Sequence, residues 1–399
     1  MRDEPAHAVS LEGNLRMIKS LFWISAAAII YAYLGYPLAV WLLARLRRRE
    51  IMGGPITPRV SVVIACHNEE QNIASRISNL LESDYPLELL ELVIVSDGST
   101  DRTVEIARSF SANGVRVISY EGRRGKAVAL NVGVESASGE IIVFADARQT
   151  FEPGAIKALA ANFQVSDVGA VSGELLLNGG SSVSEGVGLY WKYEKWIRRS
   201  ESLAGSMIGA TGAIYAIRRE LWGPLPENTI LDDVYTPMRI ALTGKRVVFD
   251  EAARAHDTAS ESASHEFRRK VRTLTGNYQL CQLMPRLLIP SGLLTFQFWS
   301  HKLMRLAAPI FMLMLLVSNL LIAAPRSGEL FYQATFAAQL AFYIGVVAGG
   351  FLLKRNRKVR LLNIAYVFSM MNAAAFLGLL YFVFGKRNVW TRGTKEQGG

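Results

Sequence analysis

Asp146 ends the stretch IIVFAD, in which five apolar residues from Ile141 read as a buried strand. In an open α/β sheet, a carboxylate at the carboxyl end of a strand faces the crevice where ligands bind. A metal ion or a phosphate is its natural company. Capping of the turn is the plainer use of an Asp at that place. Three more polar clusters also fall just past apolar runs: Asn68 and Glu69 after VSVVIAC, Asp97 after LVIVS, and Lys126 across EGRRG. A parallel sheet lines such positions along one rim, so turn chemistry alone does not account for the succession. Carboxylates there accept hydrogen bonds from N–H and hydroxyl groups, and an ammonium balances phosphate charge. For Lys126 the alternative is a solvated helix start. Asp232 and Asp233 open a later helix, either as partners of its N-terminal dipole or, for one of them, as a general base.

The elements that must carry these residues alternate. Strands are expected over residues 60–65, 92–95, 115–118 and 141–145, and the first three each lead into a helix, the first with Ile73, Ile77, Leu80 and Leu81 on one face. This alternation predicts crossover units, a mostly parallel sheet and an α/β fold. From Val168 the pattern loosens into Gly-rich connections through VSGELLLNGGSS. A helix bearing Tyr190, Trp191, Tyr193 and Trp196 follows, then GATGAIYAIRRELW, then a helix and a short strand in LDDVYTPMRIALTGKRVVFD, then a basic helix in HEFRRKVRTLTGNYQ. Core packing is the expected use of Trp191 and Trp196, with stacking against a ligand as the alternative. His256 and His265 are not read as metal ligands. Cys66 and Cys281 offer neither a disulfide framework nor metal-ligand spacing, as in a reducing compartment.

Residues 21–43, 306–325, 331–353 and 361–385 contain no Asp, Glu, Lys or Arg. Each reaches the roughly 20 residues that cross hydrocarbon, so four α-helical transmembrane segments are expected. The first reads as an uncleaved anchor, because Arg45, Arg47, Arg48 and Arg49 follow it without a cleavage pattern. Those arginines outweigh Arg2, Arg16 and Lys19 before it, which places the next domain in the cytoplasm. Lys354, Arg355, Arg357, Lys358 and Arg360 mark a cytoplasmic loop, yet Lys386, Arg387, Arg392 and Lys395 ask for a cytoplasmic C-terminus as well. Both hold if the fourth segment is re-entrant or lies along the surface. Residues 280–299, broken by Pro285, Arg286 and Pro290, read as an interfacial helix. The expected domains are 1–58 (tail, anchor and Gly/Pro linker), 59–280 (α/β domain) and 281–399 (interfacial helix and membrane segments). Much of the net charge of +10 sits beside the membrane segments, which fits anionic headgroups and argues against nucleic acid.

Across residues 59–280 the chain resembles the processive-type family 2 glycosyltransferases of bacterial membranes, the cellulose, chitin, hyaluronan and poly-N-acetylglucosamine synthases. VSVVIACHNEE, SDGSTDRT, GRRGKAVALNVGV, FADAR and LDDV carry the likeness, in order. The resemblance implies a GT-A (nucleotide-diphospho-sugar transferase) domain in the inner membrane that moves a sugar from a UDP-sugar to a growing saccharide, with inversion. It implies that Glu69 and Asp97 contact the uridine, Lys126 belongs to the nucleotide loop, Asp146 holds Mg²⁺ or Mn²⁺, and Asp233 is the catalytic base. Thr211 and Gly212 match the acceptor loop, and Arg272 the arginine of Q-x-x-R-W. The chain departs from the pattern at Arg148, where the second Asp of D-x-D is expected, and at Arg269 and Thr273, the Gln and Trp positions. Arg148 is expected to contact the diphosphate directly, and the missing aromatic at Thr273 to shorten the product. A polyprenyl phosphate is the alternative acceptor, and a transporter with a nucleotide-sensing domain the alternative of another class. Export through so few helices implies a homo-oligomer or a partner protein.

Overall fold

The computed structural model describes residues 4–50, 53–178, 182–258, 263–324, 329–355, 357 and 359–385. Lys358, Lys386, Arg387, Arg392 and Lys395 lie outside the described residues.

The α/β domain is built on eight described strands: β1 (Val60–Cys66), β2 (Leu90–Asp97), β3 (Val115–Tyr120), β4 (Ile141–Ala145), β5 (Thr150–Phe151), β6 (Val168–Asn178), β7 (Ile214–Arg218) and β8 (Arg246–Thr258). They form one sheet in the order β3-β2-β1-β4-β7-β6-β8-β5. β3, β2, β1 and β4 run parallel, as the strand–helix alternation requires, and their carboxyl ends share one edge. Val62, Ile64, Ile94 and Val143 face one apolar cluster with Ile73, Ile77 and Leu80 of the helix Ile73–Leu81. Val63, Val95, Ile142 and Phe144 face another with Ala129, Leu130 and Val134 of the helix Lys126–Ser136. Alternate residues of each strand thus cover both faces.

Beyond β4 the sheet becomes mixed: β7 is antiparallel to β4 and β6, while β6 and β8 are parallel. The expected Gly-rich connection from Val168 is in fact the eleven-residue strand β6. Its glycines serve close approach rather than turning. A Cβ at Gly169 would meet Ile240 Cγ2 at 2.6 Å, and one at Gly173 the Ala253 carbonyl oxygen at 2.5 Å. The short strand after the acidic helix is longer than expected, running thirteen residues to Thr258. Ala253, Ala255 and Asp257 alternate into the interior there, a pattern that two alanines and an aspartate signal weakly.

Four described helices are long and apolar enough to cross a membrane: Glu12–Arg47, Leu293–Ala323, Leu330–Lys354 and Arg360–Val383. Leu293–Ala323 begins earlier than expected. The expected interfacial helix resolves into the end of the helix Ala263–Leu283, a turn at Pro285–Leu288, and the opening of this span. The fourth helix is unbroken and packs on Ala263–Leu283: Tyr278 donates to the Ala375 carbonyl at 3.4 Å, and Thr275 to that of Gly378 at 3.4 Å. Tyr33 of the first span donates to Asn372 at 3.1 Å, tying three helices together.

Candidate active site

The turns after β1 and β2 lock each other. Asn68, at φ 55°, donates its backbone N–H to Ser99 Oγ (3.0 Å) and accepts from the Thr100 N–H (2.8 Å). The Glu69 N–H donates to Thr103 Oγ1 at 2.8 Å, and its carboxylate accepts from Asn72 at 2.7 Å, remaining on the rim.

Asp97 is enclosed by the loop that follows β3. It is 2% exposed, and its oxygens accept from the backbone N–H groups of Arg124 (2.7 Å) and Gly125 (2.8 Å) and from the Tyr120 hydroxyl (3.0 Å). These bonds tie the GRRGK loop to the end of β2 and take up part of the carboxylate's acceptor capacity. Gly98 permits this closure, since a Cβ there would lie 2.5 Å from the backbone of Gly122.

Lys126 opens the helix Lys126–Ser136, but its ammonium is not solvated. Nζ lies 2.9 Å from Asp146 Oδ1 and 3.6 Å from Asp232 Oδ1. Burial opposes its charge, Asp146 and Asp232 outweigh that, and its pKa moves upward. The end of β4 and the start of the helix Asp232–Leu242 thus meet through one lysine.

Asp233 accepts the Gly212 N–H at 3.1 Å, and its own carbonyl accepts the Ala210 N–H at 2.7 Å. Gly212 must be glycine for this geometry, because a Cβ would sit 2.8 Å from Asp233 Oδ2. Burial, then the charge of Asp232, raises the Asp233 pKa to about 6 against the opposing pull of Lys126, Lys302 and Arg198. That suits a base operating near neutral pH. Asp232 is 6% exposed, and its Oδ2 has no hydrogen-bond partner among the described residues. Arg272, on the helix Ala263–Leu283, lies in the field of Asp232, Asp233 and Asp146, while burial lowers its pKa.

Two further residues stand elsewhere than expected. Arg148 donates to Asp257 Oδ2 at 2.8 Å, and Gln149 to the same oxygen at 3.0 Å, so the guanidinium is turned toward β8 rather than a diphosphate. Asp257 gave no local signal in the sequence. Thr211, 6% exposed, accepts from Arg198 at 2.7 Å and donates its N–H to Ser172 at 2.9 Å; it anchors Arg198 instead of facing an acceptor. Trp196 packs against the Tyr36 and Val40 cluster, as core, whereas Trp191 lies under the Arg198 and Lys270 cations. His256 pairs with Glu152 at 3.0 Å.

A cavity of about 100 Å³ adjoins Asp233, walled by Arg198, Gly209, Thr273, Asn277 and, from the span Leu293–Ala323, His301 and Lys302. Sequence reasoning missed its outer wall. His301 sits between Glu201 (2.7 Å) and Glu194 (3.3 Å), Tyr36 donates to Glu201, and Arg305 pairs with Glu194. These ionisable groups, drawn from two spans and the helix Ser182–Ala204, join the α/β domain to the membrane helices.

An open, partly parallel sheet with acids and a lysine on one carboxyl-end rim, a buried carboxylate beside a cavity, and helices long enough to cross a membrane is the architecture of a GT-A-like fold. Residues 61–222 match the model of Glycosyl transferase family 2. It is 25% identical over 268 residues to the poly-beta-1,6-N-acetyl-D-glucosamine synthase of Staphylococcus epidermidis, covering 65% of this chain and 63% of that protein. It is 26% identical over 228 residues to the synthase of the same name from Staphylococcus aureus (strain COL), 55% of each chain. The chain thus spans less than two thirds of the length of the relatives it matches. The fold is shared with a mannosyltransferase from Pyrobaculum calidifontis solved with GDP-Man and Mn²⁺, at a TM-score of 0.72 and 23% identity, over 92% of this chain and 99% of that one.

Proposed function

We propose that this protein transfers a sugar, with inversion, from a UDP-sugar to the hydroxyl of a growing saccharide at the inner membrane. One observation carries the reading: Asp233, a buried carboxylate with its pKa raised to about 6, borders a cavity while Lys126 links its neighbour Asp232 to Asp146. In this scheme the acceptor occupies the cavity and Asp233 takes its hydroxyl proton. The oxygen bonds to the anomeric carbon from the face opposite the diphosphate, and the sugar–phosphate C–O bond breaks, its electron pair leaving with the nucleotide. Lys126 and Arg272 supply cations toward the diphosphate, and Glu69 with the loop held by Asp97 borders the nucleoside.

The residues fit Mg²⁺ or Mn²⁺ if phosphate oxygens supply part of its coordination. Asp146 is the carboxylate that would hold the ion, and no group of three metal-binding side chains exists among the described residues. The ion would neutralise charge developing on the departing nucleotide. Support for a UDP-sugar comes from the motif resemblance; the fold relative was solved with a GDP-sugar. The purified chain in lipid should therefore be given UDP- and GDP-sugars with either metal while nucleotide release is followed. Release from a UDP-sugar that depends on a saccharide acceptor is expected, and release from GDP-mannose alone would overturn the donor assignment.

Lys302 and Arg198 on the cavity wall favour a second reading, in which the acceptor is a lipid phosphate. Such an acceptor is already ionised and needs no strong base.

The arginines after the first span support a cytoplasmic active site. A tag between Arg59 and Val60, or within residues 354–358, is expected to be shielded from a membrane-impermeant label in intact cells; labelling of either would reverse the orientation.

A further inference from the structure

A second recess, of about 240 Å³, lies where the first span, the α/β domain and the start of Leu293–Ala323 converge. Arg47, Arg49, Lys245 and Arg246 line it, and no acidic residue does among the described ones. These cations come from two separate segments, and none takes part in an ion pair among the described residues. Arg246 is anchored by the carbonyls of Gly205 (2.7 Å), Arg49 (2.8 Å) and Ser202 (3.0 Å), within the field of Asp167, and Lys245 by the carbonyl of Ser166 (2.8 Å), so both cations are held in place without a direct ion pair. Arg47 and Arg49 are exposed.

A second observation is independent of the charge. Gln297 also lines this recess; it is 0% exposed, and both polar atoms of its side chain lack a hydrogen-bond partner among the described residues. A buried amide without partners destabilises a fold, so a group that accepts from its NH₂ would relieve a cost already present. Leu293 supplies an apolar edge beside it.

We propose that the recess binds the phosphate of an anionic membrane lipid, with the acyl chains running from Leu293 along the span. The position suits this ligand. Arg47 ends the first span, and basic pockets between membrane helices at the surface collect anionic headgroups. Gly205 and Ser206 also line the recess and lead directly into the loop carrying Thr211 and Gly212, so a bound headgroup would brace the segment that holds Asp233.

Thermal stability rather than turnover reads the proposal, so its outcome is independent of the glycosyl-transfer reading. The full chain in a neutral detergent is melted with phosphatidylglycerol, with phosphatidylcholine at equal mole fraction, or with soluble glycerol phosphate. Phosphatidylglycerol is expected to raise the melting temperature by several degrees and the other two to leave it unchanged. Arg47→Gln combined with Arg49→Gln should lose most of that rise. Arg45→Gln should keep it, because Arg45 lies outside the recess, over the Trp41 ring at 4.6 Å. Gln297→Leu should melt no lower than the wild type in detergent alone and respond less to phosphatidylglycerol. An equal rise with phosphatidylcholine or glycerol phosphate, an equal loss in Arg45→Gln, or a Gln297→Leu protein that melts lower in detergent alone would overturn the site.

Discussion

Asp233→Asn is expected to bind the donor normally and to lower the transfer rate by roughly 10²–10⁴-fold, the usual contribution of a positioned general base. The amide oxygen can still accept the Gly212 N–H, now at 3.1 Å from the carboxylate, so the acceptor loop should keep its place while the proton acceptor is lost. The wild-type pH profile follows from the same environment. Burial and Asp232 raise the Asp233 pKa to about 6, and the ionised form is the active one, so kcat/KM should fall about tenfold per unit as pH drops below that value. Asp232→Asn removes the like charge and should move this limb to lower pH. Stability runs in the opposite direction. A carboxyl whose folded pKa lies above its ordinary value of 3.8 stabilises the fold below that value, and the contribution is lost as pH rises through about 6. At neutral pH, Asp233→Asn should therefore melt higher than the wild type while transferring far more slowly. Stopped-assay nucleotide release and thermal melts at pH 5 and pH 7.5 test both halves. Full activity in the variant would point to an acceptor already ionised, the lipid phosphate reading.

What was legible in the sequence was what local periodicity encodes. Strands β1 to β4 each present a compact run of β-branched or large apolar residues, and the polar residue past each run lands on the rim because parallel crossovers leave it no other place. Strand β6 escaped because Gly169 and Gly173 look like turn residues until Ile240 and Ala253 are seen against them. The candidate residues were named from the sequence, but several of their partners in the structure were not. Arg148 and Asp257 are 109 positions apart, and Lys126 reaches Asp146 across 20 positions and Asp232 from the other side, pairings that no repeat or spacing announces. Asp97 shows the same limit: its place at the end of β2 was legible, while the loop that closes over it was not. The ionisable layer of Glu194, Glu201, His301 and Arg305 was missed because its members are scattered singly among apolar neighbours, and their meaning arises only where two helices face each other.

The same lysine sets up the second large effect. Asp146→Asn should reduce transfer by at least about 10²-fold, the scale of losing one electrostatic contact to developing charge. In the present geometry Lys126 binds Asp146 Oδ1 at 2.9 Å, an interaction an amide oxygen can also accept. If Asp146 served only to hold Lys126, the change would cost little. A large loss, together with a Mn²⁺ titration displaced to higher concentration, would instead assign its anionic oxygen to an ion shared with the diphosphate. Arg148→Asp sharpens the test. It restores the paired acids of the resembling synthases, but it also removes the cation from Asp257, a buried carboxylate left with only neutral donors, Gln149 at 3.0 Å and the Thr258 N–H at 2.8 Å. The variant should therefore melt lower than the wild type, since breaking a buried pair leaves an uncompensated charge, while its metal titration should tighten. An unchanged titration in Arg148→Asp would mean that position 148 belongs to the β8 side of the sheet, with Asp146 as the acid that faces the donor. Wild-type rates in Asp146→Asn would remove the donor-side assignment altogether and leave Asp146 as the counter-ion of Lys126.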